Sequence, residues 1–129
     1  MPVSRTVAIT GSASLKPVTP TSAPFPSLSE TLTLNLEQTR GIGRGQAISI
    51  ASPAAFVDLL AGLGITTATM VVIRIRSGFL TIRCTTAAGV DQVIDCSELW
   101  AYSSPLAGRE ITALAVQGTA DIEMIVAGD

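Results

Sequence analysis

The chain has 129 residues and a net charge of −2, a length that suits a single domain. It is 47% hydrophobic but only 14% charged, well below the roughly 25% of average soluble domains. The basic residues form no run, so the electrostatic footprint of nucleic-acid binding is missing. A charge-poor surface is typical of proteins that contact other proteins. The alternative is a compact domain whose surface is rich in neutral Ser, Thr and Ala.

The chain contains no histidine, which removes Ser-His-Asp and Cys-His catalysis and the usual metal sites. A carboxylate pair could still hydrolyse glycosides, and the candidates are Asp91 with Asp95 and Asp121 with Glu123. Each pair shares one face of a strand, and for Asp121 and Glu123 alternation indicates that this face is solvated. We therefore predict a protein that is not an enzyme and that has no cofactor or metal site.

No apolar stretch is long enough to span a bilayer, and the N-terminal residues lack the apolar core of a signal peptide. We expect synthesis in a cytoplasm and no membrane partner.

Residues 1–28 are predicted to be an extended arm that precedes a β-domain covering residues 29–129. Four prolines between residues 17 and 26 preclude helix and disfavour a central strand. Such a Pro-, Ser- and Thr-rich arm suits a segment laid against neighbouring subunits, and the alternative is a disordered tail.

The first part of the β-domain contains strand patterns at residues 31–36 and 47–50. The glycines at residues 41–45 predict a flexible loop, because the fingerprint of a phosphate-binding loop is incomplete. Ser52 and Pro53, followed by leucines at helical spacing, predict one short helix over residues 53–61.

Residues 70–76 and 79–85 predict a hairpin whose tight turn is Ser77-Gly78. If Arg76 is placed opposite Phe79, the resulting register puts the apolar pairs on one face of the hairpin and the arginines on the other. The predicted buried face consists of Val71, Ile73, Ile75, Leu80, Ile82 and Cys84.

A third strand at residues 92–96 is predicted to return beside this hairpin. Its register places Cys84 opposite Ile94 and Cys96 opposite Ile82, so the two sulfurs are diagonal and poorly placed for a disulfide. We predict free, buried thiols. The same register pairs Arg83 with Asp95 on the outer face.

Residues 99–102 form another strand pattern, and residues 111–117 and 119–126 predict a last hairpin. With about eight strands, the predicted fold is an all-β antiparallel sandwich or jelly roll with one short helix.

Arginines and apolar residues share the outer face of the predicted meander, which is the composition of interface centres. The alternative is a solvated face. The candidate interface residues of the arm and of this face are Pro17, Pro20, Pro24, Phe25, Pro26, Val72, Arg74, Arg76, Phe79 and Arg83.

Residues 68–129 resemble a type of small virion protein of tailed bacteriophages. The pattern is carried by residues 72–78 and 80–86, by Leu99-Trp100, and by residues 111–117 and 119–124. The resemblance implies a jelly-roll-like decoration or cement protein, often trimeric, on the phage head. Its partners would be the major capsid protein or other virion subunits, and its location the capsid surface. The alternative is a carbohydrate- or receptor-binding β-sandwich module of a fibre or spike.

Overall fold

The computed structural model describes residues 5–15, 30–89 and 91–129. Apart from one 3-10 turn, the regular structure of these residues is all β, so the predicted fold class is confirmed. The strands are β1 (Arg5–Leu15), β2 (Glu30–Arg40), β3 (Ile42–Asp58), β4 (Ala68–Thr86), β5 (Asp91–Cys96), β6 (Leu99–Ser103) and β7 (Ile111–Gly128), and the turn covers Ala61–Leu63.

The chain divides into two units. In the smaller one, Ala8–Glu37, β1 and β2 pair in a two-stranded sheet. The larger one contains the other five strands, β3 to β7. The predicted boundary between residues 28 and 29 falls outside the described residues and stays a prediction.

In the five-stranded sheet, β7 lies between β3 and β4. Partner numbers fall along β7 as they rise along β4, from Met70–Ala127 to Thr85–Ala113, so these two strands run in opposite directions. The far edge of β4 is shared by β5, beside residues 80–85, and β6, beside residues 70–74. The two short strands therefore follow one another along a single long strand.

The predicted hairpin at Ser77-Gly78 is wrong, because β4 continues through both residues. Ile75 pairs with Ile122 and Ser77 with Asp121, which leaves Arg76 as the extra residue of a β-bulge. A bulge bends a strand and increases its twist. Gly78 follows with a φ of +83°, so the glycine serves a bend within a strand instead of a turn between two.

The bulge explains why the predicted burial is nevertheless correct. Val71, Ile73 and Ile75 point inward before it, and Leu80, Ile82 and Cys84 point inward after it. One extra residue reverses the alternation of side chains. The strand thus keeps the same face of the sheet buried along its whole length.

The sheet closes over this buried face. Ile111, the first residue of β7, pairs with Thr86 at one end of β4 and with Ala68 at the other end. Both ends of the long strand therefore meet at one residue, which is fully buried. This folding of a sheet over its own core is consistent with a sandwich. The largest fully buried side chains are Met70, Ile73, Leu80, Ile82, Ile111, Leu114, Ile122 and Met124.

The predicted C-terminal hairpin is also wrong, because β7 runs unbroken through Gly118. The predicted helix over residues 53–61 is replaced by the end of β3 and a short 3-10 turn. Asp58, and not Ser52, stabilises the approach to that turn: its Oδ1 accepts hydrogen bonds from the backbone N–H groups of Leu60 and Ala61 at 2.9 and 3.2 Å. The predicted glycine-rich loop belongs mostly to β3, which begins at Ile42.

The cysteines are free and buried, as predicted. The register of β5 differs from the prediction by two residues, since Cys84 faces Gln92 and Cys96 faces Leu80. Arg83 consequently faces Val93, and the predicted pair with Asp95 does not form. A shift of two keeps every side chain on its face, which is why burial was predicted correctly and partners were not.

Candidate interaction surface

The outer face of the sheet, opposite the core, is built in rows across four strands. One row joins Ala101, Val72 and Ile125, and the next joins Leu99, Arg74 and Glu123. Gly45 and Ala47 of β3 complete the two rows. Here we call Val72, Arg74, Arg76, Leu99, Glu123 and Ile125 the outer patch.

The charged members of the outer patch are paired. Nη1 of Arg74 lies 3.8 Å from Oε2 of Glu123, and Nη1 of Arg76 donates a hydrogen bond of 3.2 Å to Oε1 of the same carboxylate. All three side chains are exposed, so screening by water keeps each pair weak. They place the two guanidinium groups beside one carboxylate.

The apolar members lie directly beside these charges. Leu99 is 62% exposed and Ile125 45%, while Val72, which pairs with Ile125, is half-buried. Exposed aliphatic side chains next to arginines match the centre of a protein interface. Sequence reasoning found Val72 and Arg74 by alternation. It missed Glu123 and Ile125 as neighbours, because they come from β7, far away in the chain.

Asp121 adds a hydrogen-bonded cluster at the margin of the outer patch. Its Oδ1 accepts a hydrogen bond from Ser49 Oγ at 2.6 Å, and its Oδ2 accepts one from Ser77 Oγ at 3.2 Å. The two hydroxyls, and to a smaller extent the charge of Arg76, lower the pKa of the Asp121 carboxyl. The carboxylate therefore stays ionised and is held in one position by neighbouring strands.

The remaining predicted residues of this face lie at or beyond the bend. Phe79 is 56% exposed. Arg83 sits over the ring of Phe56, with its guanidinium carbon 4.4 Å from the ring centroid, a cation–π contact. Arg83 is therefore occupied within its own chain and lies apart from Arg74 and Arg76 along β4.

Part of the predicted interface cannot be placed. Pro17, Pro20, Pro24, Phe25 and Pro26 lie outside the described residues. Their predicted role in contacts stays a prediction.

The carboxylates considered for catalysis are engaged by neighbouring hydroxyls. Asp91 accepts a hydrogen bond from Thr85 and Asp95 accepts one from Thr81, at 2.6 and 2.8 Å. Across the described ranges, no three His, Cys, Asp or Glu side chains are grouped so as to hold a metal ion. The same part of the chain has no helix that could cross a membrane.

Comparison of the chain with protein-family models, with curated proteins and with solved structures found no match.

Proposed function

We propose that the chain is a non-enzymatic structural protein of a tailed-phage virion, which decorates or cements the capsid surface through contacts with other subunits. The outer patch carries this proposal. It combines exposed leucine and isoleucine with two arginines that pair with Glu123. A partner surface that covers this patch would remove apolar area from water, at roughly 25 cal/mol per Å².

The proposed partner is the major capsid protein or another virion subunit. Two further features support a structural role: the low charge of the whole chain and the resemblance of residues 68–129 to small virion proteins of tailed phages. A protein that acts by contact needs a rigid face. The five-stranded sheet, backed by a buried core, supplies one.

Mass spectrometry of purified virions provides the first test, and the chain should be present in a stoichiometric amount. Leu99→Lys should then sharply reduce incorporation, because an ammonium group would be buried in the contact directly beside the like charge of Arg74. The matched control is Leu106→Lys, which changes a leucine of similar exposure, 66%, in the loop between β6 and β7. Absence of the chain from particles, or equal incorporation of the two variants, contradicts the proposal.

A second candidate function is binding of a carbohydrate or receptor as a fibre module. One observation favours it: exposed Phe79 borders an open depression of about 360 Å³ that is also lined by Thr81, Gln117 and Thr119. An aromatic ring beside hydroxyl and amide groups suits the apolar and polar faces of a sugar. Micromolar binding on a glycan array that is lost in Phe79→Ala, but kept in Leu106→Ala, would favour this function over the first.

A further inference from the structure

The free edge of β3 is the longest unprotected strand edge among the described residues. β3 pairs with β7 on one side, and within the described part of the chain no strand pairs with its other side. An unpaired edge presents a row of backbone N–H and C=O groups that can pair with another strand. Proteins usually protect such edges with charges, prolines, bulges or short length.

β3 has few of these protections from Ile42 to Ser52. Residues 42–52 pair continuously with β7, and Arg44 is the only charged residue among them. The first proline is Pro53, where the pairing with β7 is interrupted before it resumes at Val57. The usable edge therefore ends at Ser52.

The opposite edge of the sheet is different. It is divided between two short strands, β5 and β6, and β5 carries Asp91 and Asp95. If two copies paired antiparallel about Val93, Asp91 of each copy would face Asp95 of the other. Like charges directly opposite one another are destabilising, so this edge is protected against self-association.

We propose that the β3 edge binds the β3 edge of a second copy of this chain, in antiparallel register about Ser49. This inference deepens the proposed structural function. It rests on that function only in that a structural subunit would use a contact between its own copies. In this register Ile48 faces Ile50 of the other copy on the core side. On the outer side Ala47 faces Ala51 of the other copy, and Ser49 faces its own equivalent.

The residues of β3 fit this twofold pairing. Ile48 and Ile50 already belong to the inner face, since they pair with Ile122 and Ala120 of β7. Placing them side by side in two copies continues the apolar layer from one core into the next. The outer side carries only small side chains, which place no charge or bulk against the partner strand. The edge is thus self-complementary, which a twofold contact requires.

Two charge variants test the register. Ala47→Lys with Ala51→Lys places two ammonium groups against each other at both ends of the contact. Ala47→Lys with Ala51→Glu places opposite charges at the same positions. Both alanines are exposed, so the fold should tolerate either change, and circular dichroism checks this. A further control, Val93→Lys with Ala101→Lys, adds the same two charges to exposed positions on the opposite edge.

Sedimentation equilibrium of the full chain measures the result. The wild type should reach twice the 13.3 kDa of one chain. The double lysine variant should weaken dimerisation by about tenfold or more, while the lysine–glutamate variant and the opposite-edge control should stay near wild type. A wild type that is monomeric throughout, or a trimer insensitive to these changes, overturns the proposal.

The two proposals fail separately. A monomer that is nevertheless present on virions sinks the β3 contact and leaves the structural function standing. A dimer that responds as expected but is missing from virions leaves the β3 contact standing and sinks the function.

Discussion

Gly78 of β4 and Gly118 of β7 lie where the two strands come closest at the bend of the sheet. Each glycine packs against the backbone of the other strand. A Cβ on Gly78 would lie 2.1 Å from the carbonyl oxygen of Thr119, and one on Gly118 would lie 2.7 Å from that of Phe79. Both residues have positive φ angles, 83° and 136°. The close approach of β4 and β7 at the bend therefore requires glycine on both strands.

Gly78→Ala should lower the free energy of unfolding by about 3–5 kcal/mol, because a backbone collision adds to the cost of a positive φ. Gly89→Ala is the matched control, with a φ of 77° and no atom within 4 Å of the added Cβ. It should cost only about 1 kcal/mol. Urea denaturation followed by tryptophan fluorescence measures both, and equal losses would show that the close approach contributes nothing.

Removing the hydroxyls beside Asp121 should raise the pKa of its carboxyl towards the ordinary value of 3.8. The expected order is wild type lowest, Ser77→Ala intermediate and Ser49→Ala highest, because the Ser49 hydrogen bond has the larger effect. Carbon-13 NMR titration of the carboxyl measures this. Ser52→Ala is the control, since that hydroxyl donates to the backbone of Ala55.

The same carboxyl gives a direction for acid stability. A pKa that is lower in the folded state than in the unfolded state stabilises the fold above the unfolded value, and this stabilisation is lost as pH falls through the folded value. The wild type should therefore lose more stability than Ser49→Ala between about pH 5 and pH 2. Urea denaturation at several pH values measures this. If the free energy of unfolding falls equally with pH in the wild type and in Ser49→Ala, the hydrogen bond from Ser49 does not lower the pKa of Asp121.

The buried thiols should be nearly unreactive in the folded protein. Burial, and to a smaller extent the charge of Asp91, raises the pKa of the Cys84 thiol, so thiolate is scarce at neutral pH. Labelling with a disulfide reagent should modify both cysteines quickly in denaturant and Cys84 only slowly without it. Cys84→Ala and Cys96→Ala assign the two rates, and fast native labelling of Cys84 would contradict its position in the core.

Arg83 and Phe56 should show an energetic coupling of about 0.5–1 kcal/mol. Phe56 belongs to the four residues that loop out of the pairing between β3 and β7, so this contact ties the loop to β4. A double-mutant cycle with Phe56→Leu and Arg83→Met isolates the coupling. The same cycle with Phe56→Leu and Arg74→Met is the control, and its coupling should be zero.

The burial pattern of β4 could be predicted from sequence, but its connectivity could not. Alternation of polar and apolar residues identifies a buried face within each segment. A tight turn at Ser77-Gly78 and a bulge at Arg76 both leave that face buried, and both use a glycine with positive φ. Choosing between them depends on β7, whose pairing with β4 is a contact between distant parts of the chain.

The helix over residues 53–61 illustrates a different limit. Ser52-Pro53 and the leucine spacing satisfy local rules for a helix start. In the structure, however, Ser52 Oγ donates a hydrogen bond to the carbonyl of Ala55, and Gln117 Nε2 donates one to the carbonyl of Pro53. Pairing of Val57 and Asp58 with β7 then outweighs helix propensity. The β4 members of the outer patch could be predicted by alternation, as the core could, whereas its members on β6 and β7 could not, because they join β4 through contacts between distant parts of the chain.

The position of β7 in the sheet sets the order in which this protein can fold during synthesis. β3 and β4 do not pair with each other, and each pairs along its length with β7, which leaves the ribosome after both. Ile42 of β3, for example, pairs with Gly128 near the end of β7, so this pair can form only after Gly128 has been synthesised. Until then β3 lacks its partner strand and β4 has only the short strands β5 and β6 beside it, so both long strands are exposed to chaperones and to other nascent chains. The sheet can therefore be completed only after β7 has left the ribosome, and expression yield should depend on how quickly β7 follows.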